Sequence, residues 1–163
     1  MTSPDEKLLK LLHATSVAML TTHSEGGELR SRPMVLAETQ DDGTLWFLTD
    51  RHSGKLEEIL QDRRVNVTIQ NSTSFISISG LASPVEDRNK VAELWKESWK
   101  VWFPGGKNDP GLILISVQSS AGEYWDNSGF SGIKYLIQAG KAYLTGTRPD
   151  VSNDKEIHAK VTL

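Results

Sequence analysis

A succession of short strand-like runs, each closed by a turn signal, constrains this chain more tightly than any other feature of it. Val17 to Thr22 (V-A-M-L-T-T) and Leu29 to Glu38 flank Glu25-Gly26-Gly27-Glu28, and Asp41-Asp42-Gly43 leads into Leu45 to Thr49. Three consecutive antiparallel strands are the economical reading, because such turns reverse the chain within a few residues. Beyond the loop Asp50 to Ser53, Leu56, Ile59 and Leu60 recur at helical spacing within Gly54 to Arg63, which predicts a helix. Val65 to Gln70 and Phe75 to Leu81 then alternate with period two around Asn71-Ser72-Thr73, giving two more strands joined by a hairpin loop.

The remaining segments fill in around this frame. Ser3 and Pro4 open a short helix whose Leu8, Leu9, Leu11 and Leu12 form an apolar face, and Asp5 and Glu6 suit its N-terminal dipole. Pro84 is expected to end the fifth strand, and Glu86 to Trp102 reads as one helix with Val91, Leu94, Trp95, Ser98, Trp99 and Trp102 along one side. Pro104-Gly105-Gly106 breaks it. Leu112 to Val117 is an apolar strand and Gly122 to Asp126 an extended continuation, followed by a helix over Ile133 to Leu144, a loop over Arg148 to Asp154 and a terminal strand over His158 to Leu163. No repeat of 20 to 50 residues divides the chain, so residues 1–163 read as one domain. The expected fold is mainly β with peripheral α: an antiparallel β-barrel of about six to seven strands, closed or nearly closed, with helices on its rim.

Composition narrows the partner. With 163 residues, a net charge of -3 and no basic run longer than Arg63-Arg64, the chain has no long-range attraction for nucleic acid. It has no cysteine, which excludes disulfides and thiolate chemistry. No apolar run approaches the roughly 18 residues that spanning a membrane requires. A cytoplasmic protein with a small-molecule partner is the expectation.

One charge is awkwardly placed. Arg32 lies in S-R-P-M-V-L, inside an otherwise apolar strand, and Ser53-Gly54-Lys55 stands at the start of the helix after the third strand. A hydroxyl, free backbone N–H groups and a lysine at a helix N-terminus can cradle an anion such as a phosphate, and an arginine fork on the neighbouring strand could bind the same group. The alternative is that Arg32 faces solvent and Ser53 only caps the helix.

The order of these pieces resembles the flavin-binding split barrels related to pyridoxamine 5'-phosphate oxidase. The strand R-P-M-V-L at Arg32 to Leu36, the F-L-T at Phe47 to Thr49 and the S-G-K at Ser53 to Lys55 carry the resemblance. W-F-P-G-G-K-N-D-P at Trp102 to Pro110 and E-Y-W-D at Glu123 to Asp126 resemble the general stress protein 26 branch in particular. The resemblance implies a split-barrel homodimer holding FMN, with FAD as a second candidate, in clefts between subunits. It implies that Arg32, Ser53 and Lys55 bind the flavin phosphate, that Leu48 and Thr49 contact the flavin, and that Pro33, Met34 and Val35 lay strand backbone along the ring. It further implies that Trp125 completes the site; core burial is the other reading of that indole.

Departures from the pattern bear on chemistry. Ala37 stands where the oxidases carry a substrate-side lysine, Lys134 is a loose match for their C-terminal arginine, and Ser74 or Phe75 replaces a flavin-contacting glutamine. These substitutions argue against oxidation of pyridoxamine phosphate. His13, His23, His52 and His158 show no metal-ligand spacing, and His52 beside the expected phosphate loop reads as solvent-exposed. The Trp95, Trp99 and Trp102 stripe reads first as a packing face, while the Trp102 to Pro110 loop could wall the cleft. Two function classes stay open: a flavin-dependent oxidoreductase of unknown substrate, and a flavin-binding, flavin-sensing or storage protein without turnover. Haem or a deazaflavin in the same barrel is a further alternative.

Overall fold

The structure is a computed structural model that describes residues 3–146, 154–155 and 157–163. Strands β1 (Val17–His23), β2 (Leu29–Thr39), β3 (Leu45–Asp50), β4 (Arg64–Gln70), β5 (Ser74–Val85) and β6 (Leu112–Asp126) form an antiparallel sheet in the order β3-β2-β1-β4-β5-β6. β3 also pairs with β6, Thr49 opposite Ile113, so the sheet closes into a six-stranded barrel. β7 (His158–Thr162) adds to β6 outside the ring.

Alternation along each strand puts one set of side chains inside. Ala18, Leu20 and Thr22 of β1, Met34 and Leu36 of β2, Val65, Val67 and Ile69 of β4, and Ile76 and Ile78 of β5 are all buried, as a half-buried pleat demands. Helix α1 (Pro4–His13) starts in a capping box: Ser3 Oγ accepts from Glu6 N while Glu6 Oε2 accepts from Ser3 N. It sends Leu8 and Leu12 into the core, and helix α2 (Gly54–Gln61) sends Leu56 and Ile59. A second apolar cluster, Leu48, Val91, Leu94, Trp99, Phe103, Leu112 and Leu114, joins the other side of β3 and β6 to the segment that follows β5.

Three expectations change. β5 runs through Pro84 to Val85, because beyond Leu81 it pairs only with β6 and the missing proline N–H faces an unpaired edge. The two expected pieces of the sixth strand are one, joined where Ser120 bulges opposite the Ser79–Gly80 step. The single helix over Glu86 to Trp102 is instead α3 (Arg88–Leu94), capped by Asp87, then extended backbone at Trp95 and Lys96, then a 3-10 turn over Glu97–Val101. The break lets Trp95 and Trp99 meet edge to face at 5.9 Å and buries Trp99 and Phe103 against the barrel. Tertiary packing overrides a helical spacing there.

Helix α4 (Gly129–Thr145) takes the place expected for Ile133 to Leu144. The Lys134 side chain and the expected loop up to residue 153 lie outside the described residues. No described helix is long and apolar enough to cross a membrane.

Candidate functional site

The β2–β3 ladder holds only from Leu36 opposite Phe47 to Thr39 opposite Leu45. Among the described residues, the Leu29–Val35 part of β2 pairs with β1 alone, and Leu48 to Asp50 of β3 pairs with β6 alone. Between them the barrel wall opens into a seam, leaving the β3-side backbone edge of Pro33 to Val35 without a strand partner. A backbone edge in that state offers hydrogen bonds to a ligand.

An apolar cleft of about 320 Å³ lies along this seam, lined by Val17, Pro33, Met34, Val35, Leu48, Trp99, Trp102 and Phe103. Four of these are expected site residues. Trp99, Trp102 and Phe103 come from the segment that failed to form one helix. Trp102 is 60% exposed and walls the cleft, whereas Trp99 is buried at its base. The G-G-K-N-D-P part of the expected loop wall does not line the cleft. It is folded on itself by Asp109, whose carboxylate accepts from the N–H groups of Gly105 and Gly111.

At the end of the seam, α2 begins. Ser53 occupies the N-cap but its hydroxyl makes no capping bond; it lies 3.4 Å from Thr49 Oγ1, which accepts from Lys55 Nζ at 2.8 Å. Leu56 N donates to the Ser53 carbonyl at 3.0 Å, the Gly54 and Lys55 N–H groups have no acceptor within the helix, and a Cβ on Gly54 would meet nothing within 4 Å. Hydroxyls, free amides, an ammonium and room to enter are the parts that an anion cradle is built from. Burial first, and then the neighbouring positive charge of Arg32, hold the Lys55 ammonium below its ordinary pKa against the opposing pull of Asp50 and Glu58.

Arg32 reaches the same corner and is neither free nor in bulk solvent. Its Nη2 donates to Glu58 Oε2 at 2.8 Å and its Nη1 to Thr22 Oγ1 at 2.5 Å. Thr22 in turn donates to Glu58 Oε2 at 2.5 Å, and Arg30 Nη1 lies 3.3 Å from Glu58 Oε1. Burial pushes the Glu58 carboxyl upward, but the bonds from Thr22 and Arg32 outweigh it and leave the group below its usual pKa. Sequence reasoning missed Glu58, Thr22 and Arg30. Strand alternation placed Thr22 inside, and a carboxylate three residues after Lys55 on a helix with Leu56 and Ile59 was the available sign of the other partner.

The structure thus brings Arg32, Thr49, Ser53 and Lys55 together, and lays Pro33, Met34, Val35 and Leu48 along the adjoining cleft. Trp125 does not line that cleft. It stands on β6 opposite Phe75, 36% exposed, with His158 stacked on it at 5.1 Å. His52 is exposed and 3.2 Å from Asp50. Ala37 packs against the second apolar cluster. Nearby Lys90 does not replace the missing lysine, because it is bound to Glu38 at 2.8 Å and Glu93 at 3.1 Å.

A six-stranded antiparallel barrel opened at one seam beside a cationic helix start is a split barrel. The chain belongs to the pyridoxamine 5'-phosphate oxidase-like family, whose model matches residues 3–150. A structure assigned to general stress protein 26 from Jannaschia sp. CCS1 superposes with a TM-score of 0.70 at 25% identity, over 96% of each chain. The general stress FMN/FAD binding protein of Xanthomonas citri gives a TM-score of 0.67 at 30% identity, over 77% of this chain and 89% of that one. Protein bli-3 of Neurospora crassa is 34% identical over an aligned length of 129 residues, with 72% of this chain and 62% of bli-3 covered.

Proposed function

We propose that this chain binds flavin mononucleotide in the open seam, with the phosphate in the cradle and the ring in the cleft, and acts as a flavin-dependent oxidoreductase of the general stress protein type. One observation carries the reading: a single strand presents the cation Arg32 at one end and, through Val35, the wall of an apolar cleft at the other. Their Cα atoms are about 10 Å apart on an extended strand, with Arg32 turned to its inner face and Val35 to its outer one, so a ligand that reaches both crosses the open strand edge between them. Once bound, the isoalloxazine ring supplies hydride and electron transfer. The chain would supply Arg32, Ser53 and Lys55 to the phosphate, Leu48 and Thr49 as further contacts to the flavin, and the Pro33–Val35 edge to the ring's polar side.

FMN is favoured over FAD by the surroundings of the cradle. A hollow beyond Gly54 is lined by Glu25, Glu28, Glu57 and Glu58, with Arg30 as its one cation. A second phosphate entering there would meet carboxylates. The purified protein should therefore bind FMN as a yellow complex, with riboflavin at least tenfold weaker, since one charge-assisted bond is worth about 1.5–3 kcal/mol and about 1.4 kcal/mol is tenfold. FAD should also compete less well than FMN. Equal affinity for riboflavin and FMN would refute the cradle.

Trp125 enters this reading through a second copy of the chain. Val17, Met19, Phe75 and Trp125 are all exposed on the outer face of the sheet, and Val17 borders the cleft. A homodimer joined over this face would cover those side chains and bring one chain's Trp125 to its partner's cleft.

FMN affinity should depend on the charge of Lys55. A bound phosphate favours the ammonium, whose pKa is depressed in the free chain, so binding takes up protons in that window and affinity falls as pH rises through it. Titration calorimetry in buffers of different ionisation enthalpy reads this uptake. Lys55→Arg should shift the fall out of the alkaline window, and an unchanged profile would remove Lys55 from the site.

A second reading, flavin binding without turnover, is favoured by Ala37, which leaves the cleft without the oxidases' substrate-side cation. Anaerobic mixing with reduced nicotinamides separates the two. Bleaching of the flavin band within seconds supports the oxidoreductase, and an unreduced complex supports the binder.

A further inference from the structure

We propose that Glu58 is a positioning residue for the anion site: it fixes the Arg32 guanidinium in the orientation that receives the phosphate. The proposal rests on the flavin reading above and assigns a role to a side chain outside the expected cradle.

Glu58 sits on the second turn of α2 with only 8% of its surface exposed. Arg32, Thr22 and Glu58 close a ring of three hydrogen bonds, each side chain bonded to the other two. Thr22 is fully buried on β1, Arg32 comes from β2, and Glu58 comes from the helix whose first turn forms the cradle. A guanidinium has five N–H donors. This ring takes one from Nη1 and one from Nη2, so Nε–H and the second proton of each terminal nitrogen stay available to a ligand. A long side chain is thereby ordered before the ligand arrives, and the ordering cost no longer falls on binding.

Two features argue that the ring serves orientation rather than cohesion. Leu56 and Ile59 already anchor α2 in the core. A buried ion pair adds little stability that an apolar residue of similar size would not. Glu58 also sets a negative charge beside a site that takes an anion, so bulk electrostatics alone would favour its absence. What it contributes is geometry, while Arg30, Arg32 and Lys55 keep the corner cationic.

The test is a double-mutant cycle read by FMN and riboflavin titrations on the full chain. Glu58→Gln should lower FMN affinity about five- to tenfold and leave riboflavin affinity unchanged. In an Arg32→Ala background the same substitution should weaken FMN binding no further, because the loss it causes runs through Arg32. Equal weakening of both flavins, additive with Arg32→Ala, would make Glu58 a structural clamp and overturn the proposal. Tighter FMN binding in Glu58→Gln would make it only a repelling charge and overturn it too. If Glu58→Gln fails to fold, Thr22→Val removes the third corner of the same ring and should show the same FMN-selective loss. Wild-type protein that binds no FMN would sink the flavin reading itself, whereas wild-type binding with an unaffected Glu58→Gln sinks this inference alone.

Discussion

Arg32→Ala should lower FMN affinity ten- to hundredfold while riboflavin affinity stays where it was. The substitution removes charge-assisted bonds to phosphate at about 1.5–3 kcal/mol each, and about 1.4 kcal/mol is a factor of ten. The ligand-free protein should not be untouched. Arg32 has a buried partner in Glu58, and stranding a buried carboxylate costs about 3–5 kcal/mol when nothing replaces its partner. Here Thr22 still donates to Glu58 and Arg30 stands 3.3 Å away, so a loss of about 1–2 kcal/mol is expected. Thermal melts separate the two effects, because the FMN-induced shift follows RT ln(1 + [L]/Kd) on top of whatever the free protein has lost. Arg32→Lys should fall between, keeping the charge without the planar fork. An FMN-induced shift in Arg32→Ala equal to the wild-type shift would place the phosphate elsewhere.

Gly80→Ala should damage the fold more than a single methyl ordinarily does. At the β5–β6 bulge a Cβ on Gly80 would lie 2.4 Å from the carbonyl oxygen of Gln118 and 3.0 Å from Val117 Cγ1. The first contact is backbone in a paired strand, so it cannot turn aside as a side chain would. Overpacking of this kind costs about 1–3 kcal/mol, and the upper end is expected, a fall in Tm of about 6–10 °C for a chain of this size. Gly54→Ala is the matched control, since nothing lies within 4 Å of its Cβ. Urea titration of both variants checks the contrast; equal midpoints would mean that β5 and β6 do not approach as closely as described.

Local patterning carried most of the barrel because β1, β4 and β5 alternate cleanly and turn chemistry is printed between β1 and β2, β2 and β3, and β4 and β5. The helix over Glu86 to Trp102 was misread for the opposite reason. Its spacing was helical, but Trp99 and Phe103 gained more from burial against β3 and β6 than from a continuous helix, and that is a long-range fact. Pro84 misled similarly, since whether a strand edge is free depends on where its neighbour stops. In the site, the cations were legible because a charge in an apolar strand stands out. Glu58 was not, because a glutamate on a helix is ordinary until its surroundings are known to be dry. Trp102 carried two readings in the sequence, and its exposure speaks against the packing one.

The closure of the barrel has a consequence for rates. β1 with β2, and β4 with β5, pair across short turns, but the ring is completed only when Thr49 meets Ile113. That pairing must overcome the closure entropy of a long loop before any contact repays it, so relative contact order is high and folding falls toward the slow end of the range for small proteins. The open seam lies beside β3, and its Leu48–Asp50 side is held in a sheet only by this long-range pairing. A nucleotide that recognises the finished seam then has nothing to grip in the transition state: it slows unfolding and leaves the folding rate nearly unchanged.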